Sequence, residues 1–320
     1  MSGVAMKMEL KKENTRAAHE DGTAYIEKVL NGEMELKDKS DQLEAIKKAL
    51  QESTEKHEYD KLKTEFFGNI SHEFKTPLNI LMASMQLIEL YSINGTIKDP
   101  ELKLDKYMKT MKQNSLRLLR LINNIIDLSK IDSCYFDMEV HNYDIVEIVE
   151  GIIQSINIYA KVKSINITFI KEIKKKTIAC DADKIERILL NLLSNAIKFT
   201  DISGKIEIKV GNRNDSIYIS VKDNGIGIQP DKLDIIFQRF RQVDKSFTRN
   251  REGSGIGLSL VEALVKMHQG KIIVKSEYGV GSEFIVELPA ITMKNDKQVN
   301  LYSQYEDSRL ERVKVEFSDI

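Results

Sequence analysis

The sequence predicts a multidomain chain: an all-α helical hairpin that pairs with a second copy into a dimeric four-helix bundle, followed by an α/β sandwich. Two observations carry this. Apolar residues recur at steps of three and four along two successive segments, with Asn94-Gly95 and Pro100 breaking the chain between them. From Tyr143 onward helical periods alternate with strictly alternating runs and glycine-rich turns, the mark of mixed helix and strand. Five regions follow: a polar N-terminal segment (1–33), a coiled-coil linker (34–60), the helical hairpin (61–134), the sandwich (135–290) and a charged tail (291–320).

Composition narrows the classes. The 320 residues are 42% hydrophobic and 30% charged, ordinary for globular protein, and the formal net charge of -1 offers no field for nucleic acid or an anionic membrane. No run is long and apolar enough to span a bilayer, and Met1–Glu20 lacks the apolar core of a signal peptide. The expected location is the cytoplasm, with membrane contact only through an upstream region on a longer parent chain. Cys134 and Cys180 stand alone, without metal-ligand spacing, and read as buried thiols.

In the linker, Leu36, Leu43, Leu50 and His57 repeat every seven residues, with Ile46 and Ser53 between them. This predicts a parallel helical dimer whose seam turns polar towards Asp60; an ordinary amphipathic helix shows the same spacing. The first hairpin helix carries Phe66, Ile70, Phe74, Leu78, Leu81, Met85 and Ile88; the second carries Leu104, Met108, Met111, Leu118, Ile122 and Ile125. Two helices expose too much apolar stripe to stand alone, hence the dimeric bundle. Beyond it the pattern predicts helices over 145–159, 181–199 (with Asp181 as N-cap) and 255–268, and strands over 165–170, 205–210, 216–223, 271–276 and 282–288. Residues 224–254 show little periodicity. The tail from Met293 reads as partly disordered or weakly helical, with no function assigned.

Of five histidines, His72 has distinctive company: Asn69-Ile70-Ser71-His72-Glu73-Phe74-Lys75-Thr76-Pro77-Leu78. Helical geometry turns Ile70, Phe74 and Leu78 inward and puts Asn69, His72, Thr76, Asn79 and Ala83 on a separate polar face. Pro77 removes the hydrogen bond to the Glu73 carbonyl and bends the helix beside an exposed His-Glu pair. His268, by contrast, ends a helix, where positive charge suits the dipole. Further on, Asn191, Asn195 and Lys198 share one helix face; amide oxygens suit Mg²⁺ and an ammonium suits phosphate. Asp223-Asn224-Gly225-Ile226-Gly227 follows a strand, and Gly253-Ser254-Gly255-Ile256-Gly257-Leu258 opens a helix, where glycine admits a ligand to the backbone and N–H groups await phosphate. Neither run is a Walker A loop or a Rossmann fingerprint.

His72-Glu73-Phe74-Lys75-Thr76-Pro77-Leu78 resembles the phosphoacceptor box of sensor histidine kinases. The order of asparagine helix, Asp-x-Gly-x-Gly turn, Phe-containing lid and Gly-x-Gly-x-Gly helix resembles the Bergerat (GHKL-type) ATP-binding fold shared by those kinases, Hsp90, type II topoisomerases and MutL. The resemblance covers residues 61–289. It implies an ATP-dependent protein-histidine kinase of a two-component system: His72 as nucleophile, Glu73 as general base, and Thr76 positioning water for regulator dephosphorylation. It implies a nucleotide set of Asn191, Asn195, Lys198, Phe199, Asp223, Gly225, Gly227, Phe237, Phe240, Arg241, Gly253, Gly255, Gly257 and Leu258. Asp223 would read the adenine amino group, and Asn195 with Asn191 nearby would hold Mg²⁺. The implied partners are a second copy of the chain and a response regulator receiver domain, with no direct nucleic-acid contact. Two departures stand out: Gln242 lies where many members have Arg, leaving Arg241 and Arg239 as alternatives at the γ-phosphate, and Glu252 precedes Gly253 where many have Gly. A Bergerat-fold ATPase and an inactive signalling scaffold are the rival classes.

Overall fold

A computed structural model describes residues 44, 47–48, 51, 54, 64, 67–90, 100–133, 135–238, 255–294 and 306–320, with backbone alone at 100–103 and 306–308. The chain divides into two compact units, Met1–Lys63 and Thr64–Ile320. In the first, the described Glu44, Lys47, Lys48, Gln51 and Thr54 are helical, and their side chains are exposed. The expected heptad seam lies outside the described residues, as does Cys134.

The second unit opens with helix α1, residues 67–90, and helix α2, Pro100–Asp132. Proline at the first position of α2 loses nothing, because a first-turn N–H has no helical partner anyway. The inward face of α1 is Ile70, Phe74, Pro77, Leu81, Ser84 and Ile88, at alternating steps of four and three. The expected stripe is wider than the face that this chain buries by itself. Leu78 and Met85 are 48% and 51% exposed, and Pro77 takes the inward place. One neighbouring helix covers only one flank of another, so a stripe wider than that flank stays open in the single chain.

The sandwich begins with two short strands, β1 (His141–Asp144) and β3 (Thr177–Cys180), paired antiparallel apart from the main sheet. Neither strand was anticipated, because four residues are too few to show alternation. The main sheet has the order β2-β4-β5-β7-β6, from Asn166–Lys171, Lys205–Arg213, Ser216–Asp223, Gly281–Pro289 and Lys271–Glu277 respectively. Only β2 and β4 run parallel. Alternation turns Ile206, Ile208, Val210, Ile217, Ile219, Val221, Phe284, Val286 and Leu288 inward. They pack under helices α3 (Ile145–Val162), α4 (Ala182–Phe199) and α5 (Gly257–Met267). On the other face Glu287 pairs with Arg213 at 2.6 Å and Lys271 at 2.9 Å, fastening β7 to its neighbour β6 and, across β5, to β4. Asp144 caps α3, accepting from Val146 N–H, and Asp181 caps α4, accepting from Lys184 N–H, each at 3.1 Å. Cys180 is buried, and desolvation pushes its thiol up to about 12, with Asp181 adding to the effect.

Hairpin and sandwich share one core. Ile70 of α1 and Leu128 of α2 belong to the same buried cluster as the sandwich helices. Arg187 of α4 reaches α2, donating to Asn124 Oδ1 at 3.0 Å and pairing with Asp127. The tail also departs from expectation. Glu306–Glu316 forms helix α6, which packs on α2, α3 and α4 and buries Val313 and Phe317.

His268 corrects another expectation. Its Nε2 accepts the Asp181 N–H at 3.1 Å, while Nδ1 lies 2.8 Å from the Leu264 carbonyl. An accepting Nε2 needs its lone pair, so the ring is neutral, and burial holds its pKa below the usual 6.5. Desolvation outweighs the helix dipole here. The unfolded ring takes its proton first as pH falls, so stability drops from pH 6.5 downwards and levels off below the folded value. Thermal unfolding between pH 7.5 and 5.5 should show a larger loss for the native chain than for His268→Gln; equal losses would contradict the buried neutral ring.

Candidate functional site

His72 is exposed on α1, on the same face as exposed Thr76, Asn79 and Ala83. The Thr76 hydroxyl donates to the His72 carbonyl at 3.2 Å, which leaves its oxygen lone pairs turned outward beside the ring's own turn of helix. Glu73 is half-buried, and its charge adds the weakest of the influences that act on Lys198 of α4.

Helix α4 carries the second part. Asn191 is 4% exposed, Asn195 and Lys198 are half-buried, and Phe199 ends the helix. The shared face predicted from spacing is thus an inner face. Glycine at 257, the first residue of α5, brings backbone against the Asn191 amide oxygen, where any Cβ would collide. Among the described residues, buried Asn191 Nδ2 has no hydrogen-bond partner. Such an orphan donor costs about 1–3 kcal/mol, a cost that a site awaiting an acceptor carries.

Asp223 ends β5, and its carboxylate Oδ1 accepts the Gly225 N–H at 2.9 Å. The turn beyond it is sewn into place. The Phe199 carbonyl accepts Ile226 N–H at 3.3 Å, Ile226 O accepts Gly279 N–H at 2.8 Å, and Ser276 Oγ accepts Ile228 N–H at 2.8 Å. Gly227 has φ +67° with the Glu277 carbonyl where a Cβ would stand, so no other residue fits. Phe237 packs edge-on to Phe284, ring centroids 6.4 Å apart. Gly255 and Leu258 flank the start of α5. Phe240, Arg241, Gly253 and both alternative arginine positions lie outside the described residues.

Electrostatics mark two of these groups. Burial pushes the Asp223 carboxyl above its ordinary value, against N–H groups of Gly225 and Ser282 that hold it down. Burial also lowers Lys198, opposed first by Asp319 and later by Glu73, while Arg120 and Arg117 add to the lowering. Among the described residues no three His, Cys, Asp or Glu side chains gather into a metal cluster. The donor set present is amide oxygen, which suits Mg²⁺ bound mainly through a nucleotide's own phosphates. An orphan amide donor, a buried carboxylate and a glycine cradle together fit a nucleotide.

A helical hairpin bearing an outward histidine, set against a two-layer sandwich whose glycine turns close on an asparagine helix, defines a phosphoacceptor domain joined to an ATP-binding domain. Comparison with known families agrees. Residues 62–134 match the His Kinase A (phospho-acceptor) domain, and residues 180–292 match the histidine kinase-, DNA gyrase B-, and HSP90-like ATPase. Hybrid signal transduction histidine kinase D of Dictyostelium discoideum is 31% identical over 276 residues, covering 84% of this chain and 17% of that protein. Sensor protein SrrB of Staphylococcus aureus is 29% identical over 267 residues, covering 83% of this chain and 43% of that one. This chain therefore spans less than half the length of either relative. Full-length ShkA, solved with AMPPNP, superposes with a TM-score of 0.53 at 27% identity, over 71% of this chain and 46% of that one. Acinetobacter baumannii histidine kinase AdeS, at TM-score 0.52 and 21% identity, over 68% of this chain and 98% of that one, shares the fold. The chain belongs to the histidine kinase family.

Several residues around the site escaped sequence reasoning: Glu186 and Arg187 on α4, Arg117 and Arg120 on α2, and Asp319 of the tail. Glu186 stood among apolar neighbours at a helical step from the core stripe, the one signal available. For Asp223, the balance of burial and charge generates a test. Asp223→Asn keeps an oxygen for the Gly225 N–H but removes a desolvated charge. ATP affinity should fall by about 1.5–3 kcal/mol, while the melting temperature of the nucleotide-free chain holds or rises. Calorimetry and thermal unfolding decide it; a variant that loses stability but binds ATP normally would contradict the assignment.

Proposed function

We propose that this chain is the kinase core of a two-component sensor. It transfers the γ-phosphoryl group of Mg-ATP to His72, and the phosphohistidine then passes it to an aspartate on a separate response regulator. The observation that carries this is exposed His72 beside half-buried Glu73 on α1, in the same compact unit as the buried Asn191 and Asp223. ATP sits with its adenine amino group on Asp223 and its phosphates towards Asn195, Lys198 and the N-terminus of α5. Asn195, with Asn191 adjacent, would hold Mg²⁺, which would supply positive charge beside those phosphates. Catalysis by the chain's own residues is then positioning plus charge neutralisation. Glu73 takes the ring proton and raises the nucleophilicity of His72.

The chain works as a homodimer, since Leu78, Met85, Met108 and Ile122 leave an open apolar band along the hairpin. Thr76, one turn beyond His72, orients water against an aspartyl phosphate on the docked regulator. A solved complex of the histidine kinase ThkA with the response regulator TrrA, of similar fold at TM-score 0.54 and 22% identity, fits this class of partner. No helix of the described residues is long and apolar enough to cross a membrane. The site works in the cytoplasm, and any membrane contact belongs to a region upstream.

Labelled ATP with Mg²⁺ should give an acid-labile, base-stable label that maps to His72. His72→Gln should abolish the label and leave ATP binding unchanged, because the two sites lie on different helices. Persistent label in that variant would overturn the proposal. Glu73→Ala should slow labelling by about 10²–10⁴-fold, the usual range for a lost general base. Thr76→Ala should leave labelling near its native rate and slow only regulator dephosphorylation; equal loss of labelling in both variants would refute the division of roles.

A further inference from the structure

The tail helix touches both halves of the kinase core at once. On the ATP-binding side, Arg309 Nε and Arg312 Nε bind the two oxygens of Glu186, each at 3.0 Å, and Arg312 also reaches Asp183 at 2.6 Å. The Glu316 carbonyl accepts from the Ser194 hydroxyl at 3.4 Å, and the Phe317 ring lies 4.8 Å from that of Tyr159 on α3. On the bundle side, Gln113 of α2 donates to the Ser318 carbonyl at 2.9 Å and Arg120 to the Glu316 carbonyl at 2.7 Å. Arg120 and Arg117 both pair with Asp319. Phe317 is 2% exposed and Val313 equally so, within the core common to both halves.

The end of the tail also reaches the C-terminal end of α4. Asp319 and Lys198 line one cleft with Lys163, Thr200, Asp201, Ile202 and Ile320, and Asp319 is the strongest of the charges acting on that ammonium. Its carboxylate pairs at the same time with Arg117 and Arg120, so it pins the tail to α2 beside Lys198. The contacts to Glu186 and α2 meanwhile tie the sandwich to the helix that packs on the His72 helix.

We propose that Glu306–Ile320 is an intramolecular clasp: it holds the ATP-binding sandwich against α2, sets Asp319 beside Lys198, and so restrains phosphoryl transfer to His72. Opening the clasp frees the sandwich to move and releases Arg117 and Arg120 from Asp319. Glu186 then meets water instead of two guanidinium groups, so opening leaves no buried unpaired charge. The inference rests on the kinase reading above.

The test uses the full chain. Arg309→Glu/Arg312→Glu sets like charges against Glu186 and Asp183. Amide hydrogen exchange should quicken by about tenfold or more in residues 309–317 and 113–121, the mark of local opening. The initial rate of His72 labelling should rise by about fivefold or more, the low end of ordinary intramolecular coupling. Asp319→Asn, which leaves the Glu186 pairs intact, should raise the rate in the same direction and decides the matter if the double variant fails to fold. Unchanged exchange would show that no such clasp closes in solution. Quickened exchange with an unchanged or lower labelling rate would reduce it to a structural contact and overturn the restraint. If the native chain and both variants bind ATP but none labels His72, the kinase reading itself has failed, and the restraint falls with it.

Discussion

Helix α4 is buried along almost its whole circumference, and the rest of the second unit is arranged to satisfy it. Its apolar sides, Ile185, Ile188, Leu189, Leu192, Leu193, Ala196 and Ile197, lie in the core. Its polar groups have no water to turn to, so each needs a protein partner. Asp181 caps its N-terminus and also receives the Glu139 N–H at 2.9 Å. Glu186 takes two arginines from the tail, Arg187 takes Asn124 and Asp127 from the hairpin, and Ser194 takes a tail carbonyl. Asn191 Nδ2 is the exception, buried with no hydrogen-bond partner among the described residues.

This arrangement couples two domains through polar groups over a shared apolar core. Asp127 on α2 shows the balance: burial pushes its carboxyl up, and the facing Arg187 pulls it down. Removing one member of such a pair leaves a desolvated charge behind, which costs far more than a surface ion pair contributes. The exposed Lys109–Asp105 pair farther along α2, at 2.8 Å, carries no such weight. Position in the fold, rather than number of ion pairs, decides which charges hold the halves together.

The candidate nucleotide site breaks folding rules that the rest of the sandwich obeys. A carboxylate is kept at a buried strand end with its pKa raised, an ammonium is desolvated, and an amide donor stays unsatisfied. Each is unfavourable to the fold by itself, and groups of this kind gather at functional sites. His268 shows the contrast, since its buried ring is satisfied on both nitrogens and serves only to join α5 to the cap of α4.

Much of this was legible in the sequence because it depends on local order. Alternation set the strands of the main sheet, helical spacing set α3, α4 and α5, and Asp181 announced its own cap. The site residues sat in short runs whose residue types carry their chemistry: His72 beside Glu73, Asn191 one turn from Asn195, Asp223 before two glycines. What the sequence could not reveal depends on groups brought together from afar. The pairing of β1 with β3 spans about thirty residues and leaves no pattern in four. Which flank of α1 turns inward depends on α2 and the sandwich, so Pro77 rather than Leu78 is buried. The tail reads as polar because charged residues outnumber apolar ones from Glu306 to Ile320, and only tertiary structure supplies the buried Glu186 that gives its two arginines a place to dock. Local periodicity records what a segment can bury; it does not record which distant charge will be waiting there, and that meeting decides where α6 lies.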